Sequence, residues 1–325
     1  MKKLVVFSIF FAFVVIVLGA YTRLTDAGLG CPDWPGCYGL LTVPQGEEQV
    51  AAANEAYPER PVESQKAWNE MIHRYFAGTL GLFILIIAAI AVKNRAPHLP
   101  FKLPLVLLLL VCFQGALGMW TVTLNLLPVV VMGHLLGGFT VLSCLYLLYL
   151  RLANDRVPGG DAQLRPMARF AGIGIGVLMI QIALGGWTSA NYAALACTEM
   201  PVCENGWAER LDFGGAFSVP EAANYEYGAH SYEQRMTMHI VHRIGALVTF
   251  GYLLWLGLKL FMSAQSSAIR NLSMTLIGVL CVQVLLGISN VVFSLPLAVA
   301  VAHNAVAACL LLVLLSVTYH LYRKV

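Results

Sequence analysis

The chain has 325 residues, of which 59% are hydrophobic and only 11% are Asp, Glu, Lys or Arg. That balance is too apolar for a water-soluble domain of this length and suits a polytopic membrane protein. The net charge of +3 says little as a sum, because the two signs are segregated along the chain, and it does not point to nucleic acid as a partner.

Eight apolar runs are long enough for helices that cross a bilayer core, which takes about 20 residues. In order they lie near 4–22, 67–92, 103–123, 127–150, 167–188, 236–262, 271–293 and 296–320. Lys2, Lys3, Lys93, Arg95, Lys102, Arg151, Arg156, Arg165, Arg169, Lys259, Arg270, Arg323 and Lys324 fall at one set of ends, which the positive-inside rule makes cytoplasmic. The other ends carry two long loops, 23–66 and 189–235, that hold most of the acidic residues. Both termini are then expected inside and both long loops outside. Lys2 and Lys3 ahead of an apolar run would also fit a secretory signal, but a removable segment has no reason to recur later in the chain, and this one does. No Arg-rich, acid-poor transit peptide precedes it, so a bacterial cytoplasmic (inner) membrane is expected.

The recurrence begins where the first span ends in Leu18, Gly19, Ala20, Tyr21 and Thr22 and the fifth ends in Leu184, Gly185, Gly186, Trp187 and Thr188. Each runs into a loop with a spaced cysteine pair: Cys31 and Cys37 in CPDWPGC, Cys197 and Cys203 in CTEMPVC, with an offset of 166 (197 minus 31). Further on the offset is 169 (242 minus 73), which sets Glu70 over His239, His73 over His242 and Arg74 over Arg243. The same offset sets Cys112, Gln114, Leu117 and Gly118 over Cys281, Gln283, Leu286 and Gly287, and His134 over His303. Four spans per half is an even number, so both halves enter the membrane from one side and are related by an axis along its normal. The expected fold is therefore all-α, two duplicated four-helix bundles of residues 1–155 and 156–325. The loop at 151–165, with Pro158, Gly159 and Gly160, lies between them. Short connections at 125–128 and 294–296 make the spans they join antiparallel neighbours.

Ionisable groups inside membrane segments are costly and usually functional. Glu70 and His73 are three apart and share a helix face. His134 lies six residues past Pro128 and His303 seven past Pro296, roughly 10 Å below the outer end of each helix at about 1.5 Å per residue. His73 and His242 enter from the same side to comparable depth. Each half thus offers two imidazoles from two helices at one level, the arrangement for axial ligation of a haem. Interhelical hydrogen-bonding histidines and a zinc or copper site are the alternatives, and four ligands split between two repeats suit a single metal ion less well. Arg74 and Arg243 are candidates for pairing with propionates. The first half has Glu70 where the second has His239, which points to one site that does chemistry and one that holds a permanent cofactor; an ordinary pairing of Glu70 with Arg74 or Lys66 is the bland alternative. Disulfides are the default for the two loop pairs in an oxidising compartment, with Trp34 and its flanking prolines holding the first pair in an accessible turn. Cys112, Cys144, Cys281 and Cys309 read as small apolar fillers. His98, His230 and His320 are given no role.

Leu24, Thr25, Asp26, Ala27, Gly28, Leu29 and Gly30 followed by CPDWPGC, Glu70 with His73 and Arg74, and a histidine in each later even span closely resemble haem A synthase, over all eight spans. The resemblance implies an enzyme that oxidises the methyl group at ring carbon 8 of haem O to a formyl group by successive water-derived hydroxylations, for cytochrome oxidase biogenesis. It implies haem b as cofactor in the second half with His242 and His303 as axial ligands and Arg243 at a propionate. It implies haem O in the first half at His73, His134 and Arg74, with Glu70 at the reacting methyl. Cys31 and Cys37 resemble a pair linked to electron or thiol exchange in turnover, and Cys197 and Cys203 a structural disulfide. Membrane lipid, haem O synthase, an electron acceptor and a second copy of the chain are the candidate partners. A cytochrome that only passes electrons, or a haem carrier, would use the same histidines without needing Glu70.

Overall fold

The computed structural model describes residues 1–95, 99–153 and 161–322. His98, Arg156, Pro158, Gly159, Gly160, Arg323, Lys324 and the expected boundary between 155 and 156 lie outside the described residues. The described residues form ten α-helices: α1 (Lys2–Leu24), α2 (Gly46–Ala56), α3 (Ser64–Lys93), α4 (Lys102–Thr123), α5 (Pro128–Ala153), α6 (Met167–Ala190), α7 (Phe213–Ala216), α8 (Tyr232–Ser263), α9 (Ser267–Val292) and α10 (Leu297–Tyr322). Among the described residues there is no strand, and all but α2 and α7 are long and apolar enough to cross a membrane. Large apolar side chains such as Leu109, Leu247 and Met262 stay exposed on their flanks, which water would penalise and lipid accepts.

The spans fall close to where hydropathy puts them, with α8 and α9 each beginning four residues before the expected 236 and 271. α8 begins at Tyr232, a turn before the apolar run, because Ser231 and Gln234 form a reciprocal capping box: the Gln234 amide donates to Ser231 Oγ (3.3 Å) and the Ser231 amide to Gln234 Oε1 (3.2 Å). The turns between α4 and α5 and between α9 and α10 repeat one backbone shape. Asn125 and Leu126 have φ of 49° and 62°, Ser294 and Leu295 of 55° and 62°. Left-handed backbone at non-glycine residues is unfavourable, and hydrogen bonds from Leu126 to the Thr121 carbonyl (2.8 Å) and from Leu295 to the Asn290 carbonyl (2.7 Å) hold it.

α1 packs on α3 and α5, and α4 on α3 and α5; α6 packs on α8 and α10, and α9 on α8 and α10. Between these two sets run α1 against α10 and α5 against α6 and α10. One leucine-rich core spans both, with Phe139, Leu142, Leu145 and Leu148 of α5 and Leu310, Leu314 and Val317 of α10 all buried. Polar bonds cross the same seam: Tyr146 to Ser316 (2.7 Å) and Tyr319 to the Leu150 carbonyl (3.1 Å). At the loop end Arg23 of α1 donates to the Ser189 carbonyl of α6 (2.6 Å) and lies over the Tyr192 ring at 3.9 Å. The second long loop also reaches the first set, since Asn125 Nδ2 donates to the Ala223 carbonyl and the Tyr225 amide to the Asn125 carbonyl, both at 3.0 Å.

At the opposite end Asp161 ties the chain ahead of α6 to the start of α9. Its Oδ1 accepts from the Gln265 amide (2.6 Å) and its Oδ2 from the Ser266 hydroxyl (2.5 Å) and amide (3.2 Å). Burial pushes this carboxyl up, but the bonds from Ser266 and Gln265 outweigh it and hold the group below the ordinary aspartate range. A carboxyl depressed by folding stabilises above its unfolded value and loses that contribution as pH falls through its folded value. Asp161→Ala is therefore expected to cost about 1.5–3 kcal/mol near pH 7. The gap from the parent should close on acidification below about pH 4, as read by thermal unfolding of the detergent-purified chain.

Candidate functional site

The four repeated histidines all sit in helix interfaces, each against a glycine of the adjoining helix. A Cβ on Gly19 of α1 would meet His73 Cε1 at 2.9 Å, and one on Gly185 of α6 would meet His242 Cε1 at 2.9 Å. Gly118 of α4 stands in the same way against His134, and Gly287 of α9 against His303, each at 3.1 Å. Alanine at Gly19 or Gly185 would have to displace the ring. This explains why the glycines recur with the histidines. In the first half the rings of His73 and His134 come together across the helices, with centres 6.3 Å apart and planes at 84°.

Sequence reasoning noted Gln114 and Gln283 as repeated but gave them no part, and overlooked Gln181. Gln114 Nε2 lies 3.0 Å from His134 Nδ1 and bonds the His134 carbonyl. Gln181 Nε2 lies 3.0 Å from His242 Nδ1 and donates to the His242 carbonyl at 3.0 Å. Gln283 Nε2 approaches His303 Nε2 at 3.4 Å.

Glu70 is buried, one turn before His73. Its Oε2 accepts from the Cys31 amide (2.9 Å) and its Oε1 pairs with Arg74 Nη2 (2.5 Å). Of the two ordinary partners expected, Arg74 is the one it has; Lys66 pairs with Glu63 at 3.0 Å. Arg74 Nη1 donates to the carbonyls of Asp33 (3.0 Å), Pro35 (3.3 Å) and Gly36 (2.5 Å). The Cys31–Cys37 disulfide loop is thus clamped over α3. Two further residues shape it. Asp33 accepts from the Tyr38 (2.7 Å) and Gly39 (2.8 Å) amides, and Gly30 lies so close to the α3 backbone at Lys66 that a side chain has no room. Both cysteines are buried, so the pair does not sit in an accessible turn, although Trp34 itself is exposed.

The second loop is built alike, with one change. Cys197 and Cys203 form a disulfide, and Arg243 donates to the carbonyls of Cys197 (2.5 Å), Glu199 (2.8 Å) and Pro201 (3.5 Å). Where Glu70 would stand there is buried His239, so Arg243 bonds Cys197 directly with no carboxylate between them. Both arginines thus bond loop carbonyls, and Arg74 alone also bonds a carboxylate, that of Glu70. Cys112, Cys144, Cys281 and Cys309 are free, the first and third exposed on the apolar surface. His230 is buried in the second loop on the Ser218 carbonyl (3.1 Å), and burial lowers its basicity.

The His73–His134 pair fits a haem. A metal bonded at about 2 Å to one nitrogen of each ring puts two imidazole centres about 6 Å apart, and the pair in the first half stands at 6.3 Å. Among the described residues no group of three or more His, Cys, Asp and Glu side chains gathers as metal ligands. Two imidazoles are what an axial pair requires, whereas a zinc ion takes three or four ligands from the protein.

A family model described as cytochrome oxidase assembly protein matches residues 2–315. A curated haem A synthase of Shewanella oneidensis is 51% identical over 319 residues, 98% of this chain and 95% of that relative. The chain belongs to the haem A synthase family. More distant haem A synthases match most of its length: that of Chelativorans is 29% identical over 316 residues (92% of this chain, 84% of the relative), and that of Nitrosospira multiformis 27% over 336 residues (96% and 90%). Eight apolar helices in a chain similar to bacterial haem A synthases fit a multi-pass inner-membrane protein.

Arg74 gives the first disulfide loop its fixed position, so Arg74→Ala should expose Cys31–Cys37 to reductant. Thiol trapping after timed exposure to a phosphine is expected to show reduction about 10-fold faster or more, the equivalent of one charge-assisted hydrogen bond. Cys197–Cys203 should keep the parent rate.

Proposed function

We propose that this chain is a haem A synthase that oxidises the C8 methyl of haem O to a formyl group with oxygen from water, for cytochrome oxidase assembly. Each methyl converted gives up four electrons and four protons while one water oxygen stays, so an external electron acceptor is part of the reaction. The two halves, 1–155 and 156–325, are four-helix bundles related by a pseudo-two-fold axis along the membrane normal. Termini face the cytoplasm and the disulfide loops the outer side. The first half takes haem O between His73 and His134, and the second keeps haem b between His242 and His303. When bound, haem b supplies one-electron redox chemistry.

The observation that carries this reading is the His73–His134 pair at axial spacing with buried Glu70 one turn away and no carboxylate at the matching place in the other half. Glu70 acts as base for a proton leaving the methyl, or stabilises positive charge developing there. Its oxygens are held by the Cys31 amide and Arg74, so acting on substrate means giving up one of them. That ties the carboxylate to the loop that carries the redox-linked Cys31 and Cys37, while Cys197–Cys203 serves as a staple. Arg74 and Arg243 hold the loops in place, and a propionate is the anion each would pair with if its loop lifts.

The test is haem extraction from membranes of a haem O-producing host carrying the parent or Glu70→Gln. Haem A is expected with the parent and a fall of about 100-fold or more with the variant, while bound haem b persists. Haem b without haem A from either would mark an electron-transfer or carrier protein instead.

A further inference from the structure

The repeat is broken at the glutamines, and the break follows a pattern. Gln181 of α6 aligns with Val15 of α1 (181 minus 166), and Gly245 of α8 with Phe76 of α3 (245 minus 169). Gln181 fits because Gly245 leaves a notch for its amide, where a Cβ would collide with Oε1. The first half fills that place with apolar groups, and Phe76 stacks on Phe11 at 5.2 Å. In the first half the notch lies on the other side: a Cβ on Gly137 of α5 would collide with Gln114 Oε1, whereas its counterpart in the second half is Val306. Each half therefore seats one glutamine in a glycine notch against one imidazole, His134 in the first and His242 in the second. The remaining two histidines differ. His303 still has Gln283 at 3.4 Å, while among the described residues His73 meets the Val15 backbone and no side-chain amide.

We propose that Gln114 and Gln181 are positioning residues that fix the rotation of His134 and His242, and that His73 is the imidazole that gives way when haem O enters and haem A leaves. The inference rests on the haem-ligating reading above. In both clamped rings Nδ1 faces the amide, which leaves Nε2 as the nitrogen turned away from it. A ring bound to iron through Nε2 carries its hydrogen on Nδ1. A half-turn of the amide then offers Oε1, which is buried without a partner at both Gln114 and Gln181, as acceptor. The histidine carbonyl gives up its side-chain donor in that turn and keeps its helical one. A clamped imidazole loses little further freedom on ligation and re-forms the bond when it breaks. The ring held by backbone alone, without a glutamine clamp, stands on α3, beside the residue expected to act on the substrate.

The test uses the full chain purified in detergent with haem b bound, and measures transfer of haem to excess apomyoglobin alongside the reduced absorption spectrum. Gln181→Leu is expected to release haem b about 10-fold faster or more and to shift its α-band, while Gln181→Glu, which keeps an acceptor, stays near the parent. For haem O loaded into the first half, Gln114→Leu should speed release, and Val15→Gln with Phe76→Gly, which rebuilds the missing clamp, should slow it. Helical circular dichroism confirms folding in each case. Parent-like release and spectra for folded Gln181→Leu and Gln114→Leu would overturn the clamp, and unchanged release from the rebuilt variant would overturn the role of His73. His242→Ala separates the underlying reading, because haem b bound as in the parent would remove the ligand assignment whatever the glutamine variants do.

Discussion

What the site depends on is close approach of helices at a few glycines. Inside a bilayer, burial from water no longer drives helix against helix, so association relies on van der Waals packing and polar bonds, and small residues decide where backbones come near. Gly19, Gly118, Gly185 and Gly287 are such places, and each has an imidazole on the facing helix in the space a methyl group would take. The separation of His73 from His134 follows from that packing: both rings lie back on glycine surfaces and meet edge to face across the gap.

On this common frame the halves diverge in steps that belong together. Glu70 becomes His239, and the arginine that shared a carboxylate with Cys31 bonds Cys197 directly. Val15 and Phe76 become Gln181 and Gly245, and an imidazole gains a side-chain partner. The first half thus holds a buried carboxylate beneath a disulfide loop and an imidazole without a polar side-chain partner, whereas the second holds more polar contacts around its histidines and no carboxylate. A site that must exchange its occupant and a site that must retain one call for that kind of difference.

Much of this was legible in the sequence because membrane folding leaves strong marks there. Eight apolar runs have few alternative readings, and a duplicated chain displays its own register, so Gly19 with Gly185 and His73 with His242 could be matched before any helix was placed. What escaped notice escaped for physical reasons. Arg74 and Arg243 bond backbone carbonyls, which carry no residue signature, so their loop-clamping contacts could not be read from side-chain types. The Gln181 clamp shows only as an absence of repeat, and attention to matches passes over it. α2 lies in a polar loop without a long apolar face, and its alanine-rich run Ala51, Ala52 and Ala53 was the available cue. The Ser231 and Gln234 capping box was also visible as a motif and would have set the start of α8 at the correct turn.

The central claim is that each half holds one haem through its own imidazole pair. Titration of the purified chain from a haem-depleted host with haem b, followed by absorption, tests it most directly. The account predicts two sites in the parent, one in His73→Ala with His134→Ala, and one in His242→Ala with His303→Ala. The same stoichiometry in all three, with helical content intact, would contradict it.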